Sequence, residues 1–252
     1  MRRDSLRRTG ALLRHNTMLM LREPGPLVSR MVLPLAFLLL LHPLYERAQP
    51  GSRGVTQAVM ATLVTFSLLG MSIAGSSILT ERIWHTWERV RVTAAHPAEQ
   101  LVGKAVPIVS ALVLQQGAVL VFGVVVLGLR VAAMPLLAVA MLAWTLAVTG
   151  MGAALGLLAS SLSAMSASYD IGGMIMSSLG GALVPLAAMP LWIRNIAPAS
   201  PGYWAVSALE AALRGDASRT WAGSGILVGF AAAACLVSVR RSSSRWGRSA
   251  RL

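Results

Sequence analysis

The sequence predicts an all-α membrane protein with six transmembrane helices, and three observations carry that prediction. Hydrophobic residues make up 56% of the 252 residues and charged ones only 12%, about half the charged share of an ordinary soluble domain. Apolar runs recur along the chain, each near the roughly twenty residues that a helix needs to cross a bilayer. Basic residues gather in blocks that abut these runs. So little polar sequence remains that the whole chain, 1–252, reads as a single transmembrane domain.

The elements follow in order. Residues 1–25 form an arginine-rich interfacial segment, and no short apolar core with a small-residue cleavage site follows it, so a cleaved signal peptide is not expected. Apolar runs then place spans near Pro26–Leu44, Val55–Leu79, Val102–Leu129, Met134–Ser160, Ile171–Met189 and Trp221–Val239. Each is expected to be helical, because lipid offers no partner for unpaired backbone groups. Arg30 lies near the start of the first span, where it can snorkel to the headgroups, and Pro34 is tolerated better in a membrane helix than in a soluble one. A polar loop (80–101) joins spans two and three, a proline-broken stretch (190–214) precedes span six, and a basic tail (240–252) follows it.

Orientation follows from charge. With six spans, the N-terminal arginines, Arg82, Arg89, Arg91 and Lys104 of the loop, and the C-terminal block from Arg240 fall on one side. The other side keeps Arg47, Arg53, Arg130, Arg194, Arg214 and Arg219. Both termini are therefore expected in the cytoplasm. The formal charge of +13 points to lipid headgroups rather than nucleic acid, since each block sits beside a span.

Catalytic signatures are not evident. Cys235 is alone inside the last run, and His15, His42, His85 and His96 share no ligand spacing, so no metal site is expected. Gly103-Lys104 lacks the preceding glycine and the Ser/Thr of a phosphate-cradling loop. The spans carry no paired carboxylates and no nucleophile with a base. The chain is expected to hold no cofactor and no ATPase site of its own.

Two stretches are unusual. Between Glu81 and Lys104, Ile83, Trp84, Trp87, Val90 and Arg91 fall at helical spacing and end before Pro97, which predicts an amphipathic helix along the membrane surface. A plain interfacial anchor and a contact helix fit that pattern equally. Further on, Pro185, Pro190, Pro198 and Pro201 interrupt helix continuity where a span should emerge. Short re-entrant helices over Leu191–Ile196 and Pro201–Leu213 are the economical reading, with Trp192, Tyr203 and Trp204 at the aromatic belt.

These stretches carry a resemblance. Glu81 closing the second span before a short Thr/Glu/Arg-bearing segment and Gly103-Lys104, the LVPLxxxPxWI run at Leu183–Ile193, and Pro201-Gly-Tyr through Ala208-Leu209 resemble the membrane subunit of an ABC-2 type transporter, in particular the small permeases of the daunorubicin/doxorubicin-exporter group. The resemblance spans essentially the whole chain. It implies a permease of the bacterial cytoplasmic membrane that pairs with a second permease, the same chain or a homologous one. Each would dock an ATP-binding cassette subunit that holds the ATP and Mg. The docking element would be a coupling helix contacting that subunit through Glu81, Thr86, Glu88, Arg89 and Arg91, joined by the interfacial Arg7–Arg22 region. His85 stands where relatives often carry glycine. The implied activity is export of a hydrophobic drug, natural product or lipid-like molecule, as in multidrug efflux and antibiotic resistance. Export of a lipid-linked glycan and a non-transporting scaffold are the alternatives.

Small hydroxyl residues and methionines mark the second and fifth spans. Thr65, Ser72 and Ser76 in one, and Met174 and Ser177 in the other, lie among glycines. Such residues let helices approach closely and bond across the seam. The resemblance gives them a second reading, as the lining of a cargo path in which flexible methionines adapt to varied shapes.

Overall fold

A computed structural model describes residues 2–22, 24–84 and 97–246. These are all-helical, with no strand among them. Helix α1 (Arg2–Arg22) leads into α2 (Pro24–Ala48), which turns at Gly51 into α3 (Ser52–Leu69) and α4 (Met71–Ile83). Then come α5 (Pro97–Val125), α6 (Met134–Leu158), α7 (Leu162–Leu179), the short α8 (Leu191–Ile196), α9 (Pro201–Arg214) and α10 (Ala217–Trp246). The end of the bundle where α3 begins is called upper here, and the end where α4 finishes lower.

Among the described residues, five segments are long and apolar enough to cross a membrane: Val28–Ala48, Ser52–Thr80, Gly103–Val125, Met134–Leu158 and Ala217–Ser238. They match five of the six apolar runs. The second is two helices rather than one, interrupted at Gly70. A Cβ there would run into the Leu112 side chain of α5, so glycine permits a close approach of the two helices at the break.

The region expected to form a fifth span, Ile171–Met189, folds differently. Its helix begins nine residues earlier in the chain, at Leu162, and stops at Leu179. At about 1.5 Å per residue, these 18 residues reach about 27 Å. The start is fixed by Ser161, whose Oγ accepts from the Ala164 backbone N–H at 3.2 Å, a side-chain cap of the usual type. The end is fixed by Gly181, which takes φ 77°, a left-handed conformation that a Cβ disfavours. Gln57 of α3 then holds the unwound backbone, its Nε2 donating to Gly181 O at 2.9 Å and Ala182 O at 2.6 Å. Tyr45 of α2 donates to Leu183 O at 2.8 Å. Buried carbonyls released by the break thus find side-chain donors.

α6 is the hub. It packs on α4, α9 and α10, and Trp144 at its middle is fully buried. Glycines set these contacts. A Cβ on Gly152 or Gly156 would strike the α4 backbone at Met71 or Gly75, and one on Gly150 would press on Ala231 of α10. Close glycine-lined crossings of this kind are how membrane helices gain packing without a hydrophobic driving force. Gln116 and Thr145 add a buried hydrogen bond of 2.9 Å between α5 and α6. α2, by contrast, remains largely exposed, with Leu39, Leu40 and Leu44 uncovered.

Candidate functional site

In the lower half of the bundle, α2, α3, α4, α5 and α7 line an open cavity of about 310 Å³. Arg30 enters it from α2 and donates from Nη2 to Ser72 Oγ of α4 at 3.2 Å. Gln115 of α5 and Tyr169 of α7 are buried in its wall, Asp170 stands at its edge, and Phe66 supplies an apolar surface. Among the described residues no carboxylate lies within ion-pair distance of Arg30. A guanidinium at this depth is costly unless it is solvated or paired. The cavity therefore offers a cation, hydroxyls and an amide beside apolar walls, the chemistry that holds the polar end of an amphiphile.

The five residues expected along a cargo path are distributed unevenly around it. Ser72 lines the cavity. Thr65 and Ser177 lie 2.5 Å apart, oxygen to oxygen, and bridge α3 to α7, with Ser177 fully buried. Ser76 turns back on its own helix, donating to Ile73 O at 3.3 Å. Met174 projects outward from α7 and is exposed.

Of the residues assigned to the contact with an ATP-binding subunit, Thr86, Glu88, Arg89 and Arg91 lie outside the described residues. Glu81 falls in the last turns of α4, and its side chain also lies outside what the structure describes. The frame on which this segment hangs is defined. Arg82, immediately after Glu81, donates from Nη1 to Gly156 O at 2.7 Å, Leu157 O at 2.9 Å and Ala159 O at 3.2 Å. These carbonyls end α6, where a helix leaves acceptors unpaired and carries partial negative charge. On the other flank, Asn16 of α1 donates to Gly103 O of α5 at 3.0 Å, and a Cβ on Gly103 would touch Leu12. Helix α1 and the helix after the loop are therefore packed together.

Sequence reasoning assigned Arg82 only to a basic block. Its position about one turn after the end of an apolar run, together with the Gly152-x-x-x-Gly156 spacing on another run, is the available signal. At the upper end, Asp216 precedes α10 and accepts from the Arg219 backbone N–H at 3.1 Å. That bond, with help from the Ser218 hydroxyl, holds its carboxyl below the usual value. Among the described residues no group of three or more His, Cys, Asp or Glu gathers in a way that would hold a metal.

A helical bundle with five membrane-length segments, a polar cavity between them and an N-terminal helix tied to α5 agrees with the comparison to protein families. The family model described as ABC-2 type transporter matches residues 7–213. No match to a curated protein is found. The matched stretch runs from α1 through α9 and takes in both the Arg30 cavity and the Arg82 clamp, so this multi-pass membrane chain belongs to the ABC-2 type transporter family.

Proposed function

We propose that the chain is the membrane-spanning permease subunit of an ATP-binding cassette exporter of the daunorubicin/doxorubicin group. Its cargo is a hydrophobic drug, natural product or lipid-like molecule, moved across the cytoplasmic membrane with ATP hydrolysed by a separate subunit. The family match over residues 7–213 is the observation that carries this reading. Six crossings put both termini in the cytoplasm, with α7 as the fifth crossing, the α8–α9 segment as the re-entrant return and α10 as the sixth crossing. The loop that holds Thr86, Glu88, Arg89 and Arg91 then meets the ATPase subunit. A second permease covers the exposed face of α2. The Arg30 cavity supports a second cargo class, a lipid-linked glycan, because a guanidinium with hydroxyls suits a charged linkage as well as a drug.

The test is reconstitution with the ATPase subunit. Reversing charge at both Glu88 and Arg89 is expected to lower its co-purification and to uncouple ATP hydrolysis from cargo. Unchanged binding and unchanged cargo-stimulated hydrolysis would return this loop to a surface anchor, and a chain that retains no ATPase subunit at all would be a scaffold.

A further inference from the structure

Basic residues on the upper side of the bundle are few, yet they converge. Of the six arginines that the charge pattern assigns to that side, Arg53, Arg130, Arg214 and Arg219 line one cavity of about 730 Å³. They arrive from four places: the start of α3, the α5–α6 connection, the end of α9 and the start of α10. Local carboxylates account for two of them. Arg214 pairs with Glu210 at 3.3 Å and Arg219 with Asp216 at 3.5 Å. Among the described residues Arg53 and Arg130 have no carboxylate within ion-pair distance, so the cavity carries surplus positive charge.

The arrangement is fixed by the fold. The Ala132 backbone N–H donates to Leu213 O at 3.0 Å, which ties the connection bearing Arg130 to the helix end bearing Arg214. Gly128 and Gly215 turn the chain on either side of that tie at φ 70° and 77°, values that glycine adopts without strain. Opposite lies the unwound stretch after α7, whose carbonyls Gln57 already occupies. Leu186, Val206 and Leu213 give the same cavity an apolar wall.

Surplus guanidinium beside apolar surface selects a ligand with both characters. Guanidinium pairs with phosphate or carboxylate through parallel hydrogen bonds, and the apolar wall accepts an acyl or ring system. We propose that this cavity binds the phosphate or carboxylate headgroup of an anionic amphiphile on the outer side of the membrane. The side rests on the exporter reading above; the binding itself does not. The headgroup has two possible sources, a resident anionic phospholipid or cargo leaving the transporter.

The test uses the full chain in phosphatidylcholine nanodiscs, without any ATPase subunit. Hexyl phosphate is titrated as a soluble probe, and phosphatidylglycerol is doped into the same discs as a membrane probe. Wild type is expected to bind at least one of them saturably. The Arg53→Gln/Arg130→Gln double variant should weaken that binding tenfold or more, and Arg194→Gln, an exposed arginine outside the cavity, should leave it unchanged. Lysine at positions 53 and 130 should restore part of it, which separates lost charge from misfolding. Hexyl phosphate that phosphatidylglycerol displaces identifies a lipid-headgroup site; binding that phosphatidylglycerol leaves untouched identifies a cargo headgroup. No saturable binding of either probe, or an equal loss in Arg194→Gln, overturns the proposal. Labelling a cysteine placed at Ser52 from each side of intact cells then reads orientation separately. Labelling from the cytoplasm alone would overturn the outer placement and the six-span topology while leaving the anion site standing.

Discussion

The Nη1 of Arg82 lies 2.7 Å from the carbonyl oxygen of Gly156 and donates to it, tying the last turn of α4 to the last turn of α6. The same nitrogen reaches the carbonyls of Leu157 and Ala159, so one half-buried guanidinium closes a helix end that has no backbone partner of its own. α6 also packs on α10, so Arg82 ties the end of α4 to the helix at the centre of the bundle.

Arg82→Ala is expected to lower stability by about 1.5–3 kcal/mol, the range for hydrogen bonds made by a charged donor. Arg82→Lys keeps a cation at the negative end of α6 but presents a point charge rather than a planar fork, and should fall between wild type and alanine. Thermal unfolding of the purified chain in detergent measures both. An alanine variant that melts with wild type would show that the clamp contributes nothing to the fold.

The α4–α6 crossing makes a second prediction, which turns on what each glycine faces. A Cβ on Gly156 would lie 2.9 Å from the Gly75 Cα, and backbone yields far less than a side chain. Gly156→Ala is therefore expected to destabilise by about 1–3 kcal/mol, as overpacking does, despite the better helix propensity of alanine. Gly229 of α10 has nothing within 4 Å, and Gly229→Ala should leave stability unchanged or raise it by up to about 1 kcal/mol. Equal melting of the two variants would show that the crossing is looser than these contacts imply.

Hydropathy made five of the membrane-length segments legible because each apolar run is continuous and lies between polar stretches. It could not show the interruption at Gly70, since the run passes through it unbroken, nor that Leu112, more than forty positions away, packs where a Cβ at Gly70 would lie. The helix Leu162–Leu179 was read too late because its first half carries Ser163, Ser166, Ser168, Tyr169 and Asp170. Ser166, Tyr169 and Asp170 line the Arg30 cavity, Tyr169 buried and the other two exposed, so the helix begins in a polar stretch that hydropathy does not read as a span. The cap at Ser161 was a local signal that hydropathy does not weigh. For the candidate site, composition singled out Thr65, Ser72 and Ser177 as small hydroxyl residues. It could not distinguish the one that meets a cavity from the two that meet each other, because that depends on how α2, α3, α4 and α7 cross.

That distinction supplies the last prediction. Ser177 is fully buried and bonded to Thr65, so tryptophan at 177 has no space to enter and must push α7 from α3. Its cost should match or exceed the roughly 1–3 kcal/mol of overpacking, seen as a lower melting temperature before any transport assay. Ser72 faces a cavity of about 310 Å³, and tryptophan there gives up a single hydrogen bond from Arg30, a loss of about 1.5 kcal/mol, the low end for a charged donor, because the open cavity lets water reach the freed guanidinium. Ser72→Trp is thus expected to remain folded and to assemble, while the ring fills the space that the polar end of a cargo would occupy. Melting temperature measured beside cargo-stimulated ATPase activity in the reconstituted complex separates the cases. A Ser72→Trp variant that melts as early as Ser177→Trp would make both serines packing residues, whereas one that is stable yet unresponsive to cargo would place the path at Arg30.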